Sequence, residues 1–112
     1  MYLYVEMWKA RPAWLALAQP EREKFFGVIG EEIGKQLSGG AELVGVARND
    51  AATSHRADYD YVAVWKLPDT AHVHAFAETW IRAGFHDYFD QEDVRGELMA
   101  PDAFIGHHLA LT

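Results

Sequence analysis

The segment Tyr2-Leu3-Tyr4-Val5-Glu6-Met7-Trp8-Lys9 recurs as Tyr59-Asp60-Tyr61-Val62-Ala63-Val64-Trp65-Lys66. Five of the eight positions are identical, and the copies lie 57 residues apart (59 − 2 = 57), about half of the 112-residue chain. Each copy alternates between two sets of side chains and is rich in aromatic residues, which predicts a strand. A proline follows each, Pro12 and Pro68, and then a helical pattern. The chain therefore reads as two similar halves, each strand, helix, strand.

The stretch from Trp14 to Leu37 is helical, with Leu17, Phe25, Val28, Ile29, Ile33 and Leu37 recurring at spacings near three and four. Pro20 divides it into a short first turn and a longer helix. Ser38-Gly39-Gly40 ends it, because glycine takes the left-handed conformation after a helix. A second strand is expected over 41–48, with Gly45 marking a bulge or close packing. Asn49 to Asp58 forms a long polar connection, and the repeated strand follows at 59–67. Asp69 and Thr70 can cap a second helix over 70–83, with Val73, Phe76, Ala77, Trp80 and Ala83 on its inner stripe and Gly84 as its stop. Phe85 to Gln91 reads as an aromatic loop or short turn, and 92–99 as a fourth strand. Pro101 opens a tail that ends in Gly106-His107-His108.

The order β-α-β-β-α-β defines an α+β, ferredoxin-like sandwich as a single domain over 1–112. Right-handed crossovers give the antiparallel sheet order 4-1-3-2, with the repeated strands as central neighbours and both helices on one face. A pseudo-two-fold axis perpendicular to the sheet keeps matched positions on one side. One face then carries Tyr2, Tyr4, Glu6, Trp8, Tyr59, Tyr61, Ala63 and Trp65. The other carries Leu3, Val5, Met7, Val62 and Val64. Both are apolar, whereas a sheet covered on one side normally shows polar residues on the other. A second subunit is the simplest cover, so a homodimer closed as a dimeric α+β barrel is expected. The Tyr/Trp face is placed beneath the helices, either as a pocket lining or as ordinary core aromatics.

Composition narrows the function classes. The formal charge is −7, from 17 acidic and 10 basic residues, and no basic stripe offsets it, so no nucleic-acid partner is expected. No run is long enough to span a bilayer and no basic leader is visible, so the expectation is a cytoplasmic protein without membrane association. Cysteine is absent, which removes thiolate chemistry. His72 and His74, two apart on a helix, point in different directions and cannot clamp one metal. Glycine-rich phosphate loops are missing as well. No metal and no cofactor are therefore expected.

Strand directions bring Trp8, His55, Arg56, Asp58, His86, Asp87 and Tyr88 to one end of the domain, with Glu6 one step deeper. Glu6 is the single carboxylate on the aromatic face, and its counterpart in the repeat is Ala63. Burial would raise its pKa toward the range useful for proton transfer; the alternative is a structural ion pair with Arg56 or Arg95. His55 and His86 are candidate partner acids or bases. Tyr4, Trp8, Tyr61 and Tyr88 are candidate stacking surfaces, and Arg56 or Arg95 could orient a carbonyl or carboxylate.

Tyr-Val-Glu-Met-Trp at the start, His55-Arg56-Ala57-Asp58-Tyr59, and Asp87-Tyr88-Phe89 followed by Arg95-Gly96-Glu97 resemble an uncharacterised bacterial family. That family belongs to the dimeric α+β barrel superfamily, whose wider relatives include antibiotic-biosynthesis monooxygenases, muconolactone-isomerase-like enzymes and haem-degrading monooxygenases. The resemblance implies the fold and the dimer. It is similar to the haem-degrading type in Trp65 and in His72 or His74, but that type usually has asparagine where this chain has Glu6. The leading expectation is a cofactor-independent isomerase, cyclase or monooxygenase of a biosynthetic or catabolic pathway, acting on a small aromatic or hydrophobic metabolite. A non-catalytic carrier is the alternative, and a haem-binding protein the second.

Overall fold

The structure, a computed structural model, describes residues 1–112. Its elements are β1 (Tyr2–Ala10), α1 (Pro12–Leu15), α2 (Gln19–Ser38), β2 (Glu42–Arg48), β3 (Tyr61–Leu67), α3 (Thr70–Arg82), α4 (Phe85–Tyr88), β4 (Phe89–Glu97) and α5 (Pro101–Leu109). The four strands form one antiparallel sheet in the order β2-β3-β1-β4. This is the expected 4-1-3-2 order of a ferredoxin-like α+β fold, read from the other edge.

The repeated strands pair with each other at the centre. Tyr4 lies opposite Trp65, Trp8 opposite Tyr61, and Glu6 opposite Ala63. Ala63 is also the residue that matches Glu6 in the repeat, so the pseudo-two-fold axis passes through this pair. It is the only position of the ribbon where a residue faces its own counterpart.

The aromatic face is the one beneath the helices. Tyr4, Glu6, Ala63, Trp65 and Leu67 are buried there, joined by Val73, Phe76 and Trp80 of α3. The Phe76 ring lies 4.9 Å from Tyr4, 5.1 Å from Trp65 and 5.4 Å from Trp80, in edge-on contacts that aromatic quadrupoles favour. On the opposite face Leu3, Val5, Met7, Val62 and Val64 are half-buried and Val94 is exposed.

Local chemistry sets the element ends. The Asp69 carboxylate accepts the His72 backbone N–H at 2.9 Å and caps α3. Gly84 then takes φ +78° and stops the chain before α4. After α2 it is Gly40, at φ +108°, rather than Gly39 that turns left-handed. Pro20 sits in the first turn of α2, where its missing N–H costs nothing. The expected bulge appears as a register shift between Leu43 and Gly45.

Three expectations need correction. The third strand starts at Tyr61, not Tyr59, because the Tyr59 carbonyl is taken by the side chains of Asn49 (2.8 Å) and Arg56 (2.9 Å). The fourth strand spans Phe89–Glu97 rather than 92–99, since Phe89 pairs with Ala10 and is buried in the core. The tail after Pro101 is a helix. Proline in its first turn, Asp102 beside it and His107 and His108 in the last turn suit the helix dipole. No residue of α5 is buried. The radius of gyration is 16.2 Å, against about 13 Å for a compact chain of this length.

Candidate functional site

A cavity of about 230 Å³ opens beneath α2. Phe26, Ile29, Gly30 and Ile33 of α2 form its roof. Glu6 and Trp8 of β1, Leu43 and Val46 of β2, and Ala63 and Trp65 of β3 form its floor, and Trp80 and Phe85 close one side. Phe26 and Val46 are exposed and mark the opening. Two small residues make the room. A Cβ on Gly30 would meet no atom within 4 Å, and Ala63 leaves the space that a larger side chain opposite Glu6 would fill.

Glu6 is the one polar side chain of the lining, and only 7% exposed. Trp65 Nε1–H donates to its Oε1 at 3.0 Å, and Gln91 Nε2–H donates to its Oε2 at 3.1 Å. Gln91 also donates to Asp93 Oδ1 at 2.7 Å, and the Tyr4 hydroxyl donates to Asp93 Oδ2 at 3.1 Å. Burial pushes the Glu6 carboxyl up to about 7, the Asp93 carboxylate adds to that shift, and the Gln91 and Trp65 donors oppose it. Burial and the neighbouring Asp93 likewise drive the Tyr4 phenol well above its ordinary range. A carboxyl held near neutrality can take or give a proton with little bias.

The structure separates the other expected site residues. Trp8 lines the cavity and stacks on Tyr61 at 5.9 Å, which puts Tyr61 behind it. Tyr4 lies in the core against Phe76, and Tyr88 packs between Trp14 (5.7 Å) and Phe25 (5.0 Å). Arg56 donates to the backbone carbonyls of Asn49, Ala57 and Tyr59, so its guanidinium holds the loop. Arg95 lies opposite Tyr4 on the exposed edge strand. Neither arginine pairs with Glu6, so the alternative of a structural ion pair is not what the fold contains. His55, in an exposed loop at φ +55°, and His86, whose carbonyl accepts from Arg11, lie outside the lining.

Reading the sequence alone missed Gln91, Asp93, Phe26, Leu43 and Val46 as site residues. Gln91 and Asp93 had a signal: they sit two apart on a strand, on the face set by Phe89. Leu43 and Val46 had none, because the bulge between them breaks the alternation.

Haem iron takes an axial imidazole, thiolate, thioether or phenolate. The cavity lining contains no histidine, methionine or tyrosine, and the chain has no cysteine. His74 is exposed, and His72 contacts Asp69 and the Gly39 carbonyl. The residues present do not fit a haem. No group of three or more His, Asp or Glu side chains is placed to hold a metal ion, and no helix is long and apolar enough to cross a membrane.

Fold and site together define a ferredoxin-like α+β protein with an apolar cavity over its central strands and one buried carboxyl in the cavity floor. The chain belongs to a family of unknown function, DUF6616, matched over residues 1–111. No curated protein matches the sequence. Among solved structures it is similar to a protein provisionally called a chlorite dismutase, at 18% identity and a TM-score of 0.64 over 95% of this chain. The chain spans about half of that protein, 48% of its length. A protein crystallised in methylated form is 15% identical, with a TM-score of 0.59 over 89% of this chain and 82% of that one. A NIPSNAP domain protein from Burkholderia xenovorans is 18% identical, with a TM-score of 0.49 over 90% and 97% of the two chains. At these identities the first two likenesses establish a shared fold.

Proposed function

We propose that the cavity binds a small, neutral aromatic or conjugated metabolite and that Glu6 exchanges a proton with it. The supporting observation is a nearly buried carboxyl at the floor of an otherwise apolar cavity. Trp8 and Trp65 offer ring faces. The volume suits a molecule of one or two rings, since a cavity of about 150 Å³ already holds benzene. No cation lines the space, so a ligand carboxylate would meet the field of Glu6 and Asp93 uncompensated. The arginine-held carboxylate considered from the sequence is therefore replaced by a carbonyl or hydroxyl facing Glu6.

The chemistry within reach is proton removal beside a carbonyl. Glu6 takes the proton, the C–H electron pair spreads into the conjugated system, and the proton returns at another atom. Protonation at a second carbon completes an isomerisation; where the carbanion first adds to a second carbonyl of the same molecule, the proton goes to the new alkoxide and completes a cyclisation, and neither needs an oxidant. Addition of the same carbanion to molecular oxygen, with the proton returned to the peroxide and water then lost to leave a carbonyl, would make it a cofactor-independent oxygenation, the chemistry of monooxygenases among the wider relatives of the family that the sequence resembles. A carrier would use the same cavity without turnover.

Titration with 2-naphthol and with 2-naphthoate, followed by the indole N–H signals of Trp8 and Trp65, tests the binding step. We expect 2-naphthol to shift both signals and the anion to be rejected until Glu6→Gln removes the buried charge. Equal binding of both compounds to the wild-type protein would refute the reading.

The acting unit proposed is a homodimer of the 1–112 domain, paired through the Leu3/Val5/Met7 face. Exposed Val94 next to that face, and Phe104, Ile105 and Leu109 on the projecting α5, support it. Sedimentation as a single protomer at micromolar concentration would exclude it.

A further inference from the structure

Resting on the reading of Glu6 as a proton-exchanging group, we propose that Gln91, itself held by Asp93, is a positioning residue that aims the Glu6 proton into the cavity. A carboxylate offers about four acceptor sites, two per oxygen. Trp65 occupies one on Oε1 and Gln91 one on Oε2. An indole N–H only donates, so a proton placed toward Trp65 would meet another hydrogen. An amide can in principle turn over and present its carbonyl instead. Here it is prevented from doing so, because the same Nε2 bridges Glu6 and Asp93, at 3.1 and 2.7 Å. Turned over, the Gln91 carbonyl would face the Asp93 carboxylate.

This orientation carries a cost at the Gln91 carbonyl oxygen. That oxygen is buried and has no hydrogen-bond partner. Buried acceptors are rarely left so, and the protein tolerates this one while both amide hydrogens' nitrogen serves two carboxylates. Asp93 is fixed in turn by the Tyr4 hydroxyl at 3.1 Å. The chain Tyr4, Asp93, Gln91, Glu6 runs along the inward side of β1 and β4 and ends at the cavity. Both donors can bond the carboxylate and also the lone pairs that the neutral acid retains. The acid proton must then sit on a lone pair they leave free, and Glu6 gives and takes it there without rearranging.

The titratable groups that act on Glu6 and its neighbours are Asp93 and Tyr4, both on the sheet, and Arg95 acts on Tyr4. The roof from α2, the wall from Trp80 and Phe85, and the β2 floor contribute none. Trp65 supplies a reporter, because its indole N–H is bonded to the titrating carboxyl.

The test follows the Trp65 indole signal in ¹H–¹⁵N spectra of the full chain across pH. In the wild type it should titrate with a midpoint near 7, and in Glu6→Gln it should not titrate. Gln91→Met removes a donor to the ionised form and should weaken the acid roughly tenfold, moving the midpoint up by about one unit. Gln91→Asn, which keeps the amide but withdraws it, should do the same if the methionine variant fails to fold. Asp93→Asn should move the midpoint down. An unchanged midpoint in the Gln91 variants overturns the proposal. Failure of 2-naphthol to bind, with these titrations as expected, would instead remove the ligand reading and leave the positioning intact.

Discussion

The half made of β1, α2 and β2 and the half made of β3, α3 and β4 share one backbone plan, yet their helices do different work. α3 buries Val73, Phe76, Thr79 and Trp80, whereas α2, seven residues longer, buries only Ile29. α2 carries Gly27, Gly30 and Gly34, none of which would crowd a Cβ. The edge strands differ as well. β4 turns Gln91, Asp93 and Arg95 to the inward side, while β2 turns Leu43 and Val46 there. At the axis between the halves stand Glu6 and Ala63. Duplication makes two equivalent spaces under two helices. Filling one with large side chains stabilises the fold, and thinning the roof of the other leaves a cavity with a carboxyl at its floor.

The sharpest way to break this contrast is to truncate one phenylalanine on each side. Phe76 is fully buried, and Phe76→Ala should cost about 3–5 kcal/mol. Phe26 is 43% exposed at the cavity opening, and Phe26→Ala should cost about 1 kcal/mol or less while weakening 2-naphthol binding. Urea unfolding of both variants gives the difference directly. Equal losses would mean that α2 is as much a part of the core as α3.

A second, smaller effect belongs to the axis itself. The folded state raises the Glu6 carboxyl from 4.5 to about 7. The stability associated with its neutral form is fully present below the ordinary value and is lost as pH rises through the raised one. The difference amounts to about 3 kcal/mol between those limits, to order of magnitude. Glu6→Gln should therefore melt higher than the wild type at about pH 8, and the gap should close toward about pH 4. A constant gap across that range would show that Glu6 is not destabilised by burial. At Ala63 no such pH dependence can arise, which is the asymmetry of the axis in thermodynamic form.

The repeat made the topology legible, because matched aromatic positions on two strands fix both their pairing and their common face. The cap at Asp69 and the break at Pro20 were legible for the same local reason: each residue type suits one backbone position. The site was legible only in part. Glu6 and Trp8 stood out by their alternation on a central strand. Strand directions place the backbones of His55, His86 and Arg56 at the same end of the sheet, but direction says nothing about where a loop side chain finds its partners. Arg56 finds three loop carbonyls. The partners of Glu6 come from residues 59 and 85 positions away, and no local pattern reports such distances. The stretch after Pro101 offers no buried stripe to mark it as a helix, since none of its residues is buried, although its end charges suit one.

The smallest effect concerns the junction of the two halves. His72, at the start of α3, places Nδ1 2.7 Å from Asp69 Oδ1 and Nε2 3.1 Å from the Gly39 carbonyl at the end of α2. Only the imidazolium donates from both nitrogens, so the hydrogen bonds to Asp69 and Gly39 raise its proton affinity. The associated stability is fully present below the ordinary histidine value and fades as pH rises through the raised one. His72→Ala should lower the melting temperature slightly at about pH 6 and not at about pH 9. The ring is exposed, so solvent screens the effect. The Thr79 hydroxyl, which accepts from Gln36 at 3.2 Å, joins the same two helices without any titrating group. Thr79→Val should lower stability equally at both pH values, and a matching pH dependence in that variant would mean that the helix junction, rather than His72, carries the response.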